Sequence, residues 1–176
     1  MIPASWQRHP AFTWGRWLPD QVVIGLARCG PVGTVRKGPG TAGSVLGIAI
    51  YAIFFFHFSL IGQILGILFA SYLAVVICGE AELRLRKRDP GEVVLDEVVA
   101  IPLCFLGLRP LMEDAGMVWV WILVGFVLFR LFDIFKPLGI HRLQSLPFGW
   151  GVVADDLAAA LATWVLLLAM LIWIGA

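Results

Sequence analysis

Apolar positions in this chain form long runs, unlike the alternating or three-to-four-residue spacing of elements with one wet face. A helix needs about twenty predominantly apolar residues to cross the hydrocarbon layer of a bilayer. Runs that approach or reach this length lie at 44–58, 60–78, 116–135 and 152–174. A shorter run at 93–108 carries Asp96 and Glu97 near its start and Pro102 further along. The pattern predicts about five transmembrane helices, the first two joined by a tight turn at Ser59 and the third short and kinked at its proline. The stretch 22–27 is apolar but too short to cross, and is expected as an interfacial or re-entrant piece. The expected fold class is an all-α integral membrane protein, with 1–38 as a cytoplasmic or interfacial N-terminal segment and 39–176 as one membrane-embedded catalytic domain.

The basic residues orient this pattern. Arg8, Arg16, Arg28, Arg36 and Lys37 precede the first run, Arg84, Arg86, Lys87 and Arg88 follow the second, and Lys136 and Arg142 follow the fourth. The opposite loops offer Arg109 against Glu113 and Asp114. Short basic loops stay on the cytoplasmic side during insertion, so the N-terminus and all those flanks are expected inside. Arg8, His9, Pro10, Arg16, Pro19 and Asp20 interrupt the first twenty residues, so no signal-peptide core is expected. At 60% hydrophobic and 14% charged residues, with a mean hydropathy of +0.91, the composition excludes an ordinary soluble domain. A net charge of +1, with the basic residues in short flanks, leaves no continuous face for nucleic acid. Cys29, Cys78 and Cys104 lack metal-type spacing and read as small apolar residues.

With this topology, polar groups gather at the cytoplasmic ends of four helices. The stretch RKGPGTAGS at 36–44 puts glycines, Thr41 and Ser44 at a helix start, where free N–H groups and the helix dipole favour an anion. The alternative is a plain helix cap, with Thr41 accepting from the Ser44 amide. Asp96 and Glu97 stand together in an apolar helix, where acids are expensive and usually pair or line a functional cavity. Arg130, Asp133 and Lys136 recur every third residue on one helical face. They read either as an intrahelical ion-pair ladder or as one metal ligand with two phosphate partners. Asp155 and Asp156 close the run PFGWGVVADD at 147–156, and capping would need one acid at most. Carboxylates brought together from several helices suit magnesium or manganese, ions that assist phosphoryl transfer. His141 is a weak candidate in the adjacent loop, His57 reads as an interfacial anchor, and Glu80 and Glu82 either join the acids or neutralise Arg84 and Arg86.

In combination, these motifs resemble the phosphatidylglycerophosphatase A family. The carriers are PGTAGS at 39–44, DPGEVVLDE at 89–97, FDIFKP at 132–137 and GVVADD at 151–156, in the family's order, over a match from about Gly30 to the carboxyl end. The His-Gly-Gly-like lead common in the family is replaced by Pro147, Phe148, Gly149 and Trp150. The resemblance implies a magnesium-dependent phosphatase of the bacterial inner membrane, with its active site on the cytoplasmic side, that converts phosphatidylglycerophosphate to phosphatidylglycerol and phosphate. Asp96, Glu97, Asp133, Asp155 and Asp156 are the expected metal ligands, with Asp96, Glu97, Asp133 and Asp156 taking part in catalysis. Thr41, Ser44, Arg130 and Lys136 are expected on the phosphate, and manganese is the alternative ion. Two rivals remain at this stage. A CDP-alcohol phosphotransferase would carry DGxxAR followed by GxxxDxxxD, which is absent. An ion-coupled transporter would need polar groups at several membrane depths.

Overall fold

A computed structural model describes residues 10–175, a helical chain with no strand among the described residues. Its α-helices are α1 (Asp20–Ala27), α2 (Pro39–Ile53), α3 (Leu60–Leu85), α4 (Leu95–Ala100), α5 (Arg109–Asp114), α6 (Val118–Phe135) and α7 (Trp150–Gly175). Among the described residues, four segments are long and apolar enough to cross a membrane: Pro39–His57, Leu60–Leu85, Val118–Phe135 and Trp150–Gly175. At 1.5 Å per residue, α3 and α7 each extend about 39 Å, beyond the ~30 Å hydrocarbon layer. Large apolar side chains such as Phe69, Trp119 and Trp173 point outward, a surface suited to lipid.

The short third helix expected at 93–108 is broken. Only α4, six residues long, is α-helical; Ile101–Phe105 continues as a 3-10 turn. Pro102 has no N–H to give the Val98 carbonyl and its ring crowds that turn, which ends the α-helix. The chain still reaches the far end of the bundle. There the Gly107 amide donates to Gln63 Oε1 (3.0 Å), Trp164 Nε1 donates to the Leu106 carbonyl (2.8 Å), and Arg109 donates to the Phe56 carbonyl beside the α2–α3 turn (3.1 Å). Irregular backbone at membrane depth is tolerated where protein covers it. Ile101, Cys104 and Phe105 are accordingly buried, with Phe105 stacked on Tyr51 at 4.5 Å.

Helix α2, the first of the four long apolar segments, begins at Pro39, earlier than the apolar run suggests, because proline suits the first helical position and Gly38, at φ +67°, supplies the left-handed turn before it. No side chain caps this end, so the Thr41 cap does not form. Gly40, Gly43 and Gly47 bring α2 close to α4 and the turn after it. A Cβ at Gly43 would lie 2.8 Å from Val94 Cβ, and one at Gly47 would lie 2.9 Å from Ile101. Residues 22–27 fall within α1, which packs on α3 through the fully buried Val23 and Ala27. Arg84 ties α3 to Asp20 (3.0 Å) and Arg28 pairs with Glu92 (2.9 Å). Arg8 and His9 lie outside the described residues.

Candidate functional site

The acidic residues converge at the end of the bundle where α2, α4 and α7 begin and α6 ends. Asp96 and Glu97 come from the first turn of α4 and Asp156 from the second turn of α7. Each offers a carboxylate oxygen, and these oxygens lie within 4.8 Å of one another, an arrangement able to hold a metal ion. Asp155, beside Asp156 and 2% exposed, ion-pairs with Lys136 at the end of α6. Asp133, one turn earlier on α6, accepts from Arg130 at 2.6 Å and lies 3.9 Å from Lys136. The same Arg130 nitrogen donates to Ser44 Oγ at 3.2 Å, and Ser44 in turn donates to the Gly40 carbonyl at 2.9 Å. The ion-pair ladder on α6 is therefore real, and it is also joined to α2 and α7.

Charge balance determines what this cluster can do. Five carboxylates face two cations, Arg130 and Lys136, and like charges so close repel strongly where water is scarce. Four of the five acids have a buried oxygen without a hydrogen-bond partner: Asp96 Oδ1, Glu97 Oε2, Asp155 Oδ1 and Asp156 Oδ2. Buried polar atoms are normally satisfied, and an all-oxygen donor set fits a hard divalent cation. Burial disfavours charge on Lys136, but the Asp155 carboxylate more than offsets this and holds the ammonium above its ordinary range.

Gly40 is part of this construction: a side chain there would run into Glu97 Oε1 and come within 3.4 Å of the Arg130 guanidinium. Thr41 is not brought into the cluster. It is exposed on the outer face of α2, in a groove with Lys37 and Val45. His141 and Arg142 are also exposed. Glu80 is fully buried and 3.6 Å from Arg84, while Glu82 accepts from the Asp89 amide at 2.8 Å. These contacts brace the end of α3. His57 lies at the opposite end against Phe56. Cys78 and Cys104 are buried; Cys29 is half-buried, and burial, with Glu97 nearby, pushes its thiol up to about 11.

A second set of contacts holds the loop beside the site. Arg88 donates to the Gln144 carbonyl and, at 2.8 Å, to the Leu146 carbonyl. Gln144 donates to Asp89 at 3.1 Å, where the backbone turns through φ +44°. Sequence reading takes Arg88 only as an orienting charge. Its partners lie 56 and 58 positions away, with no local pattern to mark them.

A polytopic helical membrane protein with a carboxylate-lined, cation-ready site at one end of its bundle is the class these features define. The family model of phosphatidylglycerophosphatase A matches residues 25–171, and the chain belongs to that family. The phosphatidylglycerophosphatase A of Haemophilus influenzae is 32% identical over 146 residues, covering 80% of this chain and 83% of the relative. That of Escherichia coli is 28% identical over 123 residues, covering 69% and 67%. A putative phosphatidylinositol-3-phosphatase of Bacteroides thetaiotaomicron is 30% identical over 137 residues, covering 73% and 80%. No solved structure matches.

Proposed function

We propose that this chain hydrolyses the phosphomonoester of phosphatidylglycerophosphate, yielding phosphatidylglycerol and phosphate, at the cytoplasmic face of a bacterial inner membrane. The observation that carries this reading is the group of buried carboxylate oxygens without partners at one end of a lipid-facing bundle. Family membership directs the reading to a lipid phosphomonoester. The basic flanks at Arg36, Lys37, Arg86 to Arg88 and Arg142 support the cytoplasmic assignment.

Asp96, Glu97 and Asp156, with Asp133 and Asp155 alongside, would hold magnesium, with manganese as the substitute. A divalent ion held there would supply charge neutralisation and lower the pKa of an attacking water. Arg130 and Lys136 bind the oxygens of the transferring phosphate, where negative charge must be stabilised. Ser44 and Asp133 fix the Arg130 guanidinium before the lipid arrives. Lys136 exchanges part of its pairing with Asp155 for the phosphate. Thr41 lies too far around α2 for this step. Transport is disfavoured because the charged groups gather at the two ends of the bundle. Between them, Thr163 is satisfied by the Ala159 carbonyl.

Phosphate release by detergent-purified protein, with magnesium and with chelator, tests the reading. Phosphatidylglycerophosphate, phosphatidic acid and phosphatidylinositol 3-phosphate form the substrate panel. Magnesium-dependent release with preference for phosphatidylglycerophosphate is expected, and Asp96→Asn or Asp156→Asn should abolish it while the protein still inserts. Release unaffected by chelator, full activity in either variant, or preference for the inositol lipid would contradict the reading.

A further inference from the structure

Beside the acidic cluster, and separated from it by the body of α2, a groove of about 560 Å³ runs down that helix's outer face. Val32 and Val35 form one wall. Ala42, Val45 and Ala49 form the floor, their small side chains recurring every three or four residues and keeping it shallow. From Thr41 to Ala49 it descends about 12 Å into the apolar zone. At Val45 it meets a second apolar groove, of about 240 Å³, between α2 and α6 and lined by Ile48, Ile122 and Phe126. Phe126 is one turn below Arg130 on α6, so this second depression lies below the candidate site.

The mouth of the first groove is cationic. Lys37 lines it with Thr41, is exposed, and makes no ion pair among the described residues. No acidic residue lines this groove, so nothing in its wall cancels the charge of Lys37. Groove and site lie on either side of the same N-terminal turn of α2: Thr41 lines the groove, while a Cβ on the preceding Gly40 would meet Glu97 and Arg130. An apolar groove with an unpaired cation at its head, across the N-terminal turn of α2 from the candidate phosphomonoester site, matches a lipid that carries a phosphodiester one glycerol away from its terminal phosphate.

We propose, building on the activity above, that this groove seats an acyl chain of the substrate and that Lys37, assisted by Thr41, pairs with the internal phosphodiester. Lys37 is thus a specificity-determining residue. It favours lipids with two phosphates over phosphatidic acid, whose one phosphate is consumed by the acidic site. The position of Thr41, turned away from the cluster, follows from this role.

The test compares kcat/KM for phosphatidylglycerophosphate and phosphatidic acid in mixed micelles with magnesium, using wild type, Lys37→Ala and Lys37→Arg, with Tm recorded for each. Lys37→Ala should lower the ratio between the two lipids about tenfold, through KM, as expected for one lost charge-assisted contact, and Lys37→Arg should restore most of it. Ala49→Phe, which fills the floor, should raise KM more for dioleoyl than for dihexanoyl phosphatidylglycerophosphate. An unchanged lipid ratio in an active Lys37→Ala protein, equal losses on both lipids, or an Ala49→Phe effect independent of chain length would overturn this proposal alone. A well-folded wild type that releases no phosphate from either lipid would overturn the parent activity and this proposal with it.

Discussion

Lys136 stands between two carboxylates, paired with Asp155 and 3.9 Å from Asp133. Burial lowers its proton affinity and Asp155 raises it further, so the folded value lies above the ordinary 10.5. While Asp155 is ionised, the stabilisation that Lys136 draws from this pair is fully present up to pH 10.5 and is lost as pH rises through the higher folded value. Replacing Lys136 with Gln leaves Asp155 as a buried, uncompensated charge and should cost about 3 kcal/mol, seen as a fall in Tm at neutral pH. Adding Asp155→Asn should recover most of that loss without restoring turnover. An unchanged Tm in Lys136→Gln would contradict the pairing. The acids themselves are legible in the sequence, because an ionisable side chain inside an apolar run is costly and needs a reason. Thr41 is misleading for a geometric reason. Once the helix starts at Pro39, Gly40 faces Glu97 and Arg130, and Thr41, about 100° further round, is exposed beside Lys37.

The glycines of α2 separate packing from site geometry. Gly40 faces the tip of the flexible Glu97 side chain, whereas Gly43 faces the Val94 Cβ and backbone carbonyl at 2.8 and 3.1 Å. Alanine at position 43 should therefore destabilise the protein by about 1–3 kcal/mol through overpacking. Alanine at position 40 should leave Tm nearly unchanged, since Glu97 can swing aside and alanine favours a helix. It should still lower turnover about a hundredfold by displacing a ligand oxygen. Equal effects of the two substitutions on Tm and turnover would contradict this division. Elements were legible where hydropathy alone decides them, as in α3, α6 and α7. The segment at 93–108 was recognisable by its proline and short length, but its switch to a 3-10 turn depends on tertiary cover from Tyr51 and on Gln63 receiving the Gly107 amide. Such partners are distant in sequence.

The whole molecule carries a net charge of +1, yet the cluster at one end of the bundle sets five acids against two cations where lipid and protein exclude water. The apolar belt commits the helices to the membrane, α2 and α6 frame the approach from lipid, and the Arg88 contacts hold the loop after α6 beside the site. Composition and charge pattern made the membrane setting and the acidic end readable, while the Arg88 tie emerged only from the fold. The central claim is that these carboxylates form one divalent-cation site that serves phosphate hydrolysis. Manganese titration followed by electron paramagnetic resonance, with magnesium-supported turnover measured on the same preparations, tests it most directly. Wild type should bind manganese stoichiometrically and in competition with magnesium, and Glu97→Gln and Asp156→Asn should lose binding and turnover together. Absence of bound manganese in active wild type, or undiminished binding in both variants, would contradict the claim.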